Sequence, residues 1–318
     1  MFHLKILITG GAGYIGSHTV RVLNENGETP VVLDNLSTGH RELVKDSELV
    51  IGDVRDTELV KNTIKKRQIE AVIHFAANSL VGESMSKPAK YLRDNLDMTI
   101  SVLEAMAGTN CQIIVVSSSA AVYGTPERIP ITEDDILSPT NPYGQSKLFM
   151  EQAIEWYEKL YGFRAARLRY FNAAGAHPDG DLKEMHDPET HLIPLVIRAA
   201  INPEFTLSVF GTDYLTPDGT CIRDYIHVCD LASAHLMAIR ALERDKKGFV
   251  CNLGIGQGYS VRQVINAIEM TIGRKVKYRE CDRRIGDPPV LVACVTRAKQ
   301  LMGWEANYKY LRQIVDFI

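Results

Sequence analysis

The sequence has no long apolar run and no closely spaced pairs of cysteines. No apolar stretch in the 318 residues reaches the length of a membrane span, about 18 residues. The six cysteines form no Cys-x-x-Cys motif, so we expect reduced thiols rather than disulfides or a zinc site, and no bound metal. The first residues lead straight into a predicted strand, without the basic region and apolar core of a secretory signal. We therefore expect a cytoplasmic protein with no membrane partner.

The sequence also has little excess charge. The 36 lysines and arginines nearly balance the 39 aspartates and glutamates, which gives a formal net charge of -3. That balance gives no electrostatic reason to expect nucleic acid or an anionic membrane as a partner. With 45% hydrophobic and 24% charged residues, the composition is that of an ordinary globular protein. Its length suits two domains that share an interface.

A glycine loop joins the first predicted strand, residues 4–9, to the first predicted helix. Its sequence is GGAGYIG at residues 10–16, so strand, loop and helix form a phosphate-binding unit. Gly13 lets the backbone approach a pyrophosphate, and Gly16 lets the helix pack closely on the strand. A second strand ends at Asp34, near the distance of about 20 residues expected for the carboxylate that binds the adenosine ribose. Because Asp34 would repel a 2′-phosphate, the sequence predicts NAD rather than NADP.

Two aspartates at predicted strand ends have structural alternatives. Asp34 can instead begin the turn over residues 35–39, although its position favours the ribose contact. A third strand ends at Asp53, which can instead cap the helix predicted after Arg55. For Asp53 the contact with the cofactor and the helix cap both stay open.

Tyr143 and Lys147 lie four residues apart in a helix predicted from Pro142 to about Tyr161, so they project from one face. Free tyrosine has a pKa of about 10, but a nearby ammonium favours the phenolate and lowers that pKa. We therefore expect Tyr143 to take and return a proton, with Lys147 lowering its pKa. The spacing alone also fits a surface lysine beside a half-buried tyrosine.

Three serines, Ser117, Ser118 and Ser119, end the fifth apolar strand, which is predicted over residues 112–117. This strand delivers them to the carboxyl edge of the sheet, where ligands of open α/β sheets bind. Serine clusters at strand ends are otherwise common turn formers. Tyr123 is a second candidate for proton transfer, with packing as its alternative.

The glycine loop, the serine run and the Tyr-x-x-x-Lys pair together resemble the extended short-chain dehydrogenase/reductase superfamily. Further segments, over almost the full chain, resemble its UDP-hexose 4-epimerases. They include VGES at 81–84, RYFN at 169–172, DGTCIRDYIHV at 218–228 and RRIGD at 283–287. The resemblance implies an α/β fold, with a Rossmann-type doubly wound parallel sheet and a smaller C-terminal α/β substrate domain. It implies an NAD-binding domain at residues 1–172 and a mainly UDP-sugar-binding domain at residues 173–318, with segments around 226–254 returning to the first.

The same resemblance assigns site residues position by position. The catalytic residues are Ser119, Tyr143 and Lys147. The cofactor-binding residues are Gly10, Gly13, Tyr14, Ile15, Gly16, Asp34, Asn35, Ser37, Gly39, Asp53, Val54, Phe75, Ala76, Ala77, Asn95, Ser117, Tyr143, Lys147 and Phe171. The substrate-binding residues are Ser119, Tyr143, Asn172, His191, Leu192, Phe210, Arg223, Tyr225, Arg284, Asp287 and Leu291. One departure is Ser79, which stands where epimerases often have a lysine that reaches the nicotinamide ribose or phosphate.

Chemistry agrees with the UDP assignments in the second half of the chain. The guanidinium groups of Arg223 and Arg284 can each hold diphosphate oxygens with two hydrogen bonds, and Asp287 can accept hydrogen bonds from ribose hydroxyls. The alternatives are a local ion pair between Arg223 and Asp224 and an exposed basic turn at residues 283–284.

The resemblance implies an isomerase that inverts C4 of a UDP-hexose with NAD, through a transient 4-keto sugar, and so interconverts UDP-glucose and UDP-galactose. Leu291 lies where epimerases vary between a bulky aromatic and smaller residues, which predicts partial room for UDP-GlcNAc and UDP-GalNAc. A sugar-nucleotide dehydratase or a UDP-glucuronate-acting enzyme is the alternative, but Ala120 and Ala121 stand where dehydratases carry acidic residues. A non-enzymatic dinucleotide sensor is the least favoured interpretation. The apolar side chains of the helices predicted over residues 88–107 and 142–161 have core packing as their alternative. In relatives, however, the corresponding helices commonly form a dimer contact, so we expect a homodimer.

Overall fold

The computed structural model describes residues 3–44, 46–284 and 286–316 of the chain. Strands and helices alternate along it. The strands are β1 Lys5–Thr9, β2 Thr29–Asp34, β3 Glu48–Ile51, β4 Ala71–His74, β5 Ile113–Ser119, β6 Arg164–Tyr170, β7 Asn172–Ala174, β8 Leu207–Phe210, β9 Ile222–His227, β10 Phe249–Leu253, β11 Gly258–Ser260, β12 Tyr278–Cys281 and β13 Val290–Leu291. The α-helices are α1 Tyr14–Glu25, α2 Thr57–Arg67, α3 Val81–Ser86, α4 Pro88–Ala107, α5 Pro142–Tyr161, α6 Leu192–Ile201, α7 Val228–Asp245, α8 Val261–Ile272, α9 Thr296–Met302 and α10 Leu311–Val315. Short 3-10 helices span Arg41–Val44 and Ala120–Tyr123.

The main sheet has seven strands in the order β10-β6-β5-β4-β1-β2-β3. Every neighbouring pair in it is parallel. Side chains alternate between its faces, since Ile6 and Ile8 of β1 lie in one buried apolar cluster and Leu7 lies in another. Near-continuous apolar strands are typical of a sheet that is covered on both faces. The predicted α/β fold with a doubly wound parallel sheet is confirmed.

Helices cover both faces of this sheet. On one face α1 and α7 pack together, with Leu23 and Ile239 in the same apolar cluster. On the other face α2, α4 and α5 contribute Ile64, Val102 and Ile154 to the second cluster. Across the described ranges, no helix combines the length and apolar character needed to cross a membrane.

A separate apolar core lies in the C-terminal half of the chain. There α6, α8 and α10 pack around two small sheets, β11-β9-β13 with β7 beside β9, and β12-β8. The strand β10 instead pairs with β6 at the edge of the main sheet, although it follows β9 in sequence. The boundaries of the two domains stay a prediction.

Two strand ends differ from the sequence prediction. β5 runs to Ser119 rather than to residue 117, because Ser118 and Ser119 continue the hydrogen-bonded pairing with β6. The serines therefore extend the ladder instead of forming a turn. β3 ends at Ile51 and not at Asp53, so Asp53 lies in the loop that leads to α2.

The local sequence sets both ends of α5. The Asn141 side chain accepts a hydrogen bond from the Gly144 amide at 2.9 Å. Pro142 lies in the first turn, where its missing N–H is not needed. Gly162 ends the helix in the left-handed conformation, with φ 70°. The helix spans Pro142–Tyr161, as predicted, and its first turns lie beside the end of β5.

Candidate active site

The glycine loop between β1 and α1 tolerates no larger side chains. Gly10 has a φ of +70°, and a Cβ there would lie 2.7 Å from the Ala76 amide nitrogen. A Cβ on Gly16 would lie 2.4 Å from the Gly10 carbonyl oxygen. Among the described residues, no side chain caps α1 at Gly13, and its first turn has no acidic residue. These uncapped amides suit a phosphate, so the loop fits a dinucleotide such as NAD.

Asp34 is buried at the end of β2 and joins the glycine loop to the following turn. Its carboxylate accepts hydrogen bonds from the Ala12 amide at 3.0 Å and the Leu36 amide at 2.8 Å. A Cβ on Gly39 would come within 3.0 Å of Ala12 and of the Asp34 carboxylate. Asp34 thus makes the turn contact of the alternative interpretation and also lies against the loop where the cofactor is predicted to bind.

Asp53 lies near the same turn. Its hydrogen bonds with Arg55, at 2.6 Å for the closest pair, lower the pKa of Asp53 to about 2. The Asn35 side chain donates to it at 3.5 Å. The helix-cap alternative is wrong, because Asp56 accepts a hydrogen bond from the Leu59 amide and caps α2.

The other residues predicted for the same end of the cofactor lie around these groups. The Ser37 amide donates to a side chain of the turn at 3.0 Å, and Val54 is buried in the second apolar cluster. Ile15 packs against the first cluster. The Tyr14 hydroxyl donates to the Gly175 carbonyl at 2.5 Å, and burial raises the pKa of Tyr14, which keeps this hydroxyl protonated.

The exit of β4 runs beside the glycine loop. The amides of Phe75 and Ala76 both donate to the Thr9 carbonyl, at 2.9 and 3.1 Å. Ala77 follows, and both alanines are partly exposed. The close approach of Ala76 to Gly10 leaves no space for a side chain between these two backbones.

Asn95 of α4 connects the loop after β4 to α5. It is fully buried, accepts a hydrogen bond from the Asn78 amide at 2.7 Å and donates to the Asn78 carbonyl at 3.1 Å. It also donates to the Ser146 hydroxyl at 2.9 Å. Asn95 therefore fixes this loop against the helix that carries Tyr143.

Ser117, Ser119, Tyr143 and Lys147 come together at the carboxyl end of β5, and we call this group the catalytic edge. The Lys147 ammonium donates to the Ser117 carbonyl at 2.9 Å and lies 5.8 Å from the centre of the Tyr143 ring. The Ser119 hydroxyl is hydrogen-bonded to the Tyr143 phenol. A strand end and one helix face thus hold a phenol, a hydroxyl and an ammonium side by side, which suits proton transfer.

The predicted lowering of the Tyr143 pKa is not observed. Burial raises the pKa of Tyr143 above its ordinary value, and the hydrogen bond from Ser119 only partly opposes this. Burial also lowers the pKa of Lys147 to about 8, against the charge of Glu151. The reason is that desolvation disfavours both charged forms, while the Lys147 ammonium is bound to a carbonyl rather than to the phenol.

Two aromatic residues near the catalytic edge have structural contacts. The Tyr123 hydroxyl donates to Asn252 at 2.7 Å and accepts from Arg169 at 2.9 Å, and burial raises its pKa to about 12. This favours the packing alternative for Tyr123. Phe171 follows β6, is 8% exposed, and its amide donates to the Leu253 carbonyl at 3.1 Å.

Arg223 and Asp287 form an ion pair in the C-terminal half of the chain. Arg223 also donates to the carbonyls of Ile222 and Pro288, each at 2.7 Å. The alternative of a local pair with Asp224 is wrong, because that carboxylate instead accepts backbone amides, one of them at 2.8 Å. Asp287 thus orients the guanidinium from a distant part of the sequence.

The two neighbouring arginines of the 283–284 turn have different partners. Arg284 lies over the Phe210 ring at 4.3 Å. Arg283 pairs with Asp213 at 2.7 Å. Both are exposed, as the alternative of a basic turn requires, but each has a specific contact. We call Phe210, Arg223, Arg284 and Asp287 the nucleotide clamp.

Three further predicted substrate residues lie on strands next to the nucleotide clamp. Asn172 of β7 pairs in register with Tyr225 of β9. Leu291 of β13 pairs with Arg223 of β9. The small sheet therefore brings residues from three separate segments to one place.

His191 and Leu192 lie at the start of α6. The His191 ring nitrogen lies 2.8 Å from carboxylates of both Glu184 and Glu189, and these partners raise the pKa of His191 to about 10 despite burial. The His191 ring therefore already has two carboxylate partners within the chain. Leu192 packs against the C-terminal core. His186 also contacts Glu184, at 2.9 Å.

Glu151 and Arg169 form a buried ion pair below the catalytic edge at 2.6 Å, a contact that the sequence motifs do not predict. A signal was present in the spacing, because Tyr143, Lys147 and Glu151 follow one another at intervals of four on one helix face.

Comparison with known proteins identifies the family. Residues 6–254 match the NAD dependent epimerase/dehydratase family. The chain belongs to this family. A family member, the UDP-glucose 4-epimerase of Halalkalibacterium halodurans, is 46% identical over 98% of this chain and 94% of its own length.

Solved structures of family members have the same fold as this chain. The UDP-glucose 4-epimerase of Brucella ovis, crystallised with NAD, is 47% identical and superposes with a TM-score of 0.96 over 99% of this chain and 97% of its own. The Bifidobacterium longum UDP-glucose 4-epimerase, in complex with NAD+ and UDP, is 39% identical with a TM-score of 0.93 over 98% of this chain and 96% of its own.

Proposed function

We propose that this protein is an isomerase that inverts C4 of a UDP-hexose and so interconverts UDP-glucose and UDP-galactose, with NAD as cofactor. The observation that carries the proposal is the catalytic edge, where Ser119, Tyr143 and Lys147 meet in a chain whose near-full-length relatives are UDP-glucose 4-epimerases. When bound, NAD supplies the reversible oxidation of the C4 carbinol. The glycine loop, with its uncapped helix end, has the shape and polarity to hold it.

Proton transfer at O4 is the task of Tyr143. As the phenolate, Tyr143 accepts the proton of the sugar 4-hydroxyl while C4 is oxidised. As the phenol, it returns this proton after the transient 4-keto sugar has presented its other face. Ser119, already hydrogen-bonded to the phenol, orients it. The Lys147 ammonium lies 5.8 Å from the centre of the Tyr143 ring, and its positive charge favours the phenolate. Burial of Tyr143 has the opposite effect.

The nucleotide clamp holds the half of the substrate that does not react. Arg223 and Arg284 bind the diphosphate, and Asp287 accepts hydrogen bonds from the uridine ribose. The pair with Asp287 keeps the Arg223 guanidinium in place before the ligand arrives. Binding energy from UDP then positions C4 while the hexose stays free to turn.

Incubation of the purified protein with UDP-galactose tests the proposal. We expect UDP-glucose as the product by NMR, with no net reduction of NAD. A dehydrated keto sugar, or turnover confined to UDP-glucuronate, would contradict it and favour the alternative enzymes of the superfamily. Ala120 and Ala121, which provide no acid or base for elimination, favour the epimerase.

We also propose a homodimer that forms through α4 and α5. Large apolar side chains of these helices are exposed, with 61% exposure for Trp156 and 69% for Leu160, and Ile100 and Phe149 are each 36% exposed. Exposed apolar patches of this kind are typical of protein interfaces. Sedimentation equilibrium of the wild type and of Trp156→Glu tests this proposal, since we expect a dimer for the first and a monomer for the second. A monomeric wild type would contradict it.

A further inference from the structure

A buried charge pair lies directly below the catalytic edge. Glu151 of α5 and Arg169 of β6 are each 4% exposed. Arg169 donates to both carboxylate oxygens of Glu151, at 2.6 and 2.9 Å, and the Ser118 hydroxyl donates to one of them at 2.5 Å. Both oxygens thus have hydrogen-bond partners, which a buried carboxylate requires.

The pair is part of a larger network. The guanidinium of Arg169 also donates to the Tyr123 hydroxyl at 2.9 Å and to the Glu133 carbonyl at 3.3 Å. Tyr123 in turn donates to Asn252 at 2.7 Å. The network therefore joins β5, α5, β6, β10 and the loop after the serine run into one rigid unit.

Three consecutive residues of β5 hold three residues of α5. The Ser117 carbonyl binds the Lys147 ammonium, and the Ser119 hydroxyl binds the Tyr143 phenol. Between them, the Ser118 hydroxyl binds Glu151, on the face of the strand where Val116 packs with the apolar side chains of α5. The contact between Ser118 and Glu151 fixes the position of the end of β5 along α5. It therefore sets the distances at which Ser117 meets Lys147 and Ser119 meets Tyr143.

Resting on the proposed function, we propose that Glu151 is a positioning residue for the reaction. Through Ser118 and Arg169 it locks the end of β5 against α5, and its carboxylate supports the charge of the Lys147 ammonium beside the Tyr143 phenol. It does not touch the substrate, and it acts through the residues that do.

The electrostatic part of this role follows from the groups around Lys147. These include Tyr143 and Glu151 on its own helix, His74 of β4 and, bound to Glu151, the guanidinium of Arg169 from β6. Burial, with the charge of Lys147, lowers the pKa of His74 to about 3, so this imidazole is neutral near pH 7. Burial lowers the pKa of Lys147 to about 8, and the negative charge of Glu151 opposes this lowering. Removing that negative charge lowers the pKa of Lys147 further.

The test compares Glu151→Gln with Glu155→Gln. Both variants exchange a carboxylate for an amide on α5, but Glu155 lies one turn further along and pairs with Arg167 of β6 at 3.1 Å. For Glu151→Gln we expect kcat for UDP-galactose to fall by about tenfold to a hundredfold, with little change in KM because the nucleotide clamp is intact. The alkaline limb of its kcat profile moves to lower pH. Glu155→Gln keeps the wild-type values.

A second variant separates the two parts of the role. Ser118→Ala keeps the ion pair but removes the hydroxyl, so we expect a lower kcat with an unmoved alkaline limb. Wild-type kcat and pH profile in Glu151→Gln would overturn the proposal. A Glu151→Gln variant that loses activity only because less protein is folded, with an unmoved alkaline limb, would also overturn it. That is the effect expected of a purely structural residue.

Nitrogen NMR titration of the lysine side chains gives a measurement that needs no turnover. Lys147→Arg identifies the Lys147 signal, and we expect its pKa to be lower in Glu151→Gln than in the wild type and in Glu155→Gln. An unchanged Lys147 pKa would overturn the electrostatic role. A wild type that titrates as expected but does not epimerise UDP-galactose would contradict the proposed function and not the contact between Glu151 and Lys147.

Discussion

The catalytic edge and the nucleotide clamp hold their charges differently. At the catalytic edge Lys147 is 2% exposed, and the ion pair below it is almost completely buried. In the nucleotide clamp Arg284 is exposed, and the Asp287 side chain of the pair with Arg223 is 27% exposed. The groups proposed to react are thus fixed within the core, whereas the nucleotide clamp combines the buried Arg223 with groups that are open to solvent.

We interpret this difference as a separation of chemistry from binding. A buried charge has little freedom to move and interacts strongly with its neighbours, which suits groups that must stay aligned during proton transfer. An exposed cation can change partners when a diphosphate arrives. We therefore expect substitutions at the catalytic edge to lower kcat and substitutions in the nucleotide clamp to raise KM.

Apart from loss of the Tyr143 phenol itself, the largest effect is expected for Lys147→Met. The substitution removes the ammonium beside Tyr143 but keeps most of the buried volume, so we expect kcat to fall by about a hundredfold or more with little change in KM. Lys159→Met is the matched control on α5, because that ammonium lies over Trp156 at the surface. A rise in KM of the same size as the fall in kcat would contradict the separation of chemistry and binding between the two regions.

The opposite pattern is expected for Arg223→Ala. Loss of charged hydrogen bonds to the diphosphate, worth about 1.5–3 kcal/mol, raises KM for UDP-galactose by about tenfold to a hundredfold, with a smaller effect on kcat. Arg283→Ala is the control, since its pair with Asp213 is exposed and contributes little. Steady-state kinetics of both variants measures this, and equal effects would contradict the assignment of Arg223.

The pH dependence of kcat tests the buried ammonium. Burial lowers the pKa of Lys147 to about 8, so its charge is complete well below that pH and is lost as the pH rises through it. We expect kcat to fall on the alkaline side by about tenfold per pH unit beyond this pKa, while the affinity for UDP changes less. A profile that is flat to pH 10 and beyond would contradict the role of Lys147.

The smallest effect is expected at Leu291, which pairs with Arg223 across the small sheet. We propose that its intermediate size leaves partial room for N-acetylated sugars. Leu291→Tyr fills that space, so we expect the turnover of UDP-GalNAc relative to UDP-galactose to fall by about threefold to tenfold. Equal ratios in the wild type and the variant would remove the steric role of Leu291.

The sequence predicts the main sheet well because its signals are local. The apolar strands, the glycine loop and the cap at Asn141 each act over a few residues, and α5 has the predicted ends. The serine run is the exception, since turn propensity favours an earlier strand end. Pairing with β6 outweighs it, which is a tertiary effect that the local sequence does not show.

The contacts of the charged residues are harder to predict. Arg223 pairs with Asp287, 64 residues away, rather than with its neighbour Asp224. The pKa of Tyr143 rises instead of falling, because burial is a property of the folded chain and not of the Tyr-x-x-x-Lys spacing. Resemblance supplies candidate residues, but only the fold determines their partners.

The central claim is that the Tyr143 phenol transfers the proton while the nucleotide is held elsewhere. Its most direct test is the turnover of UDP-galactose by Tyr143→Phe, measured together with the affinity of this variant for UDP. We predict that turnover falls by about 10²–10⁴-fold and that the affinity for UDP stays at the wild-type value. Near-normal turnover in Tyr143→Phe would contradict the claim.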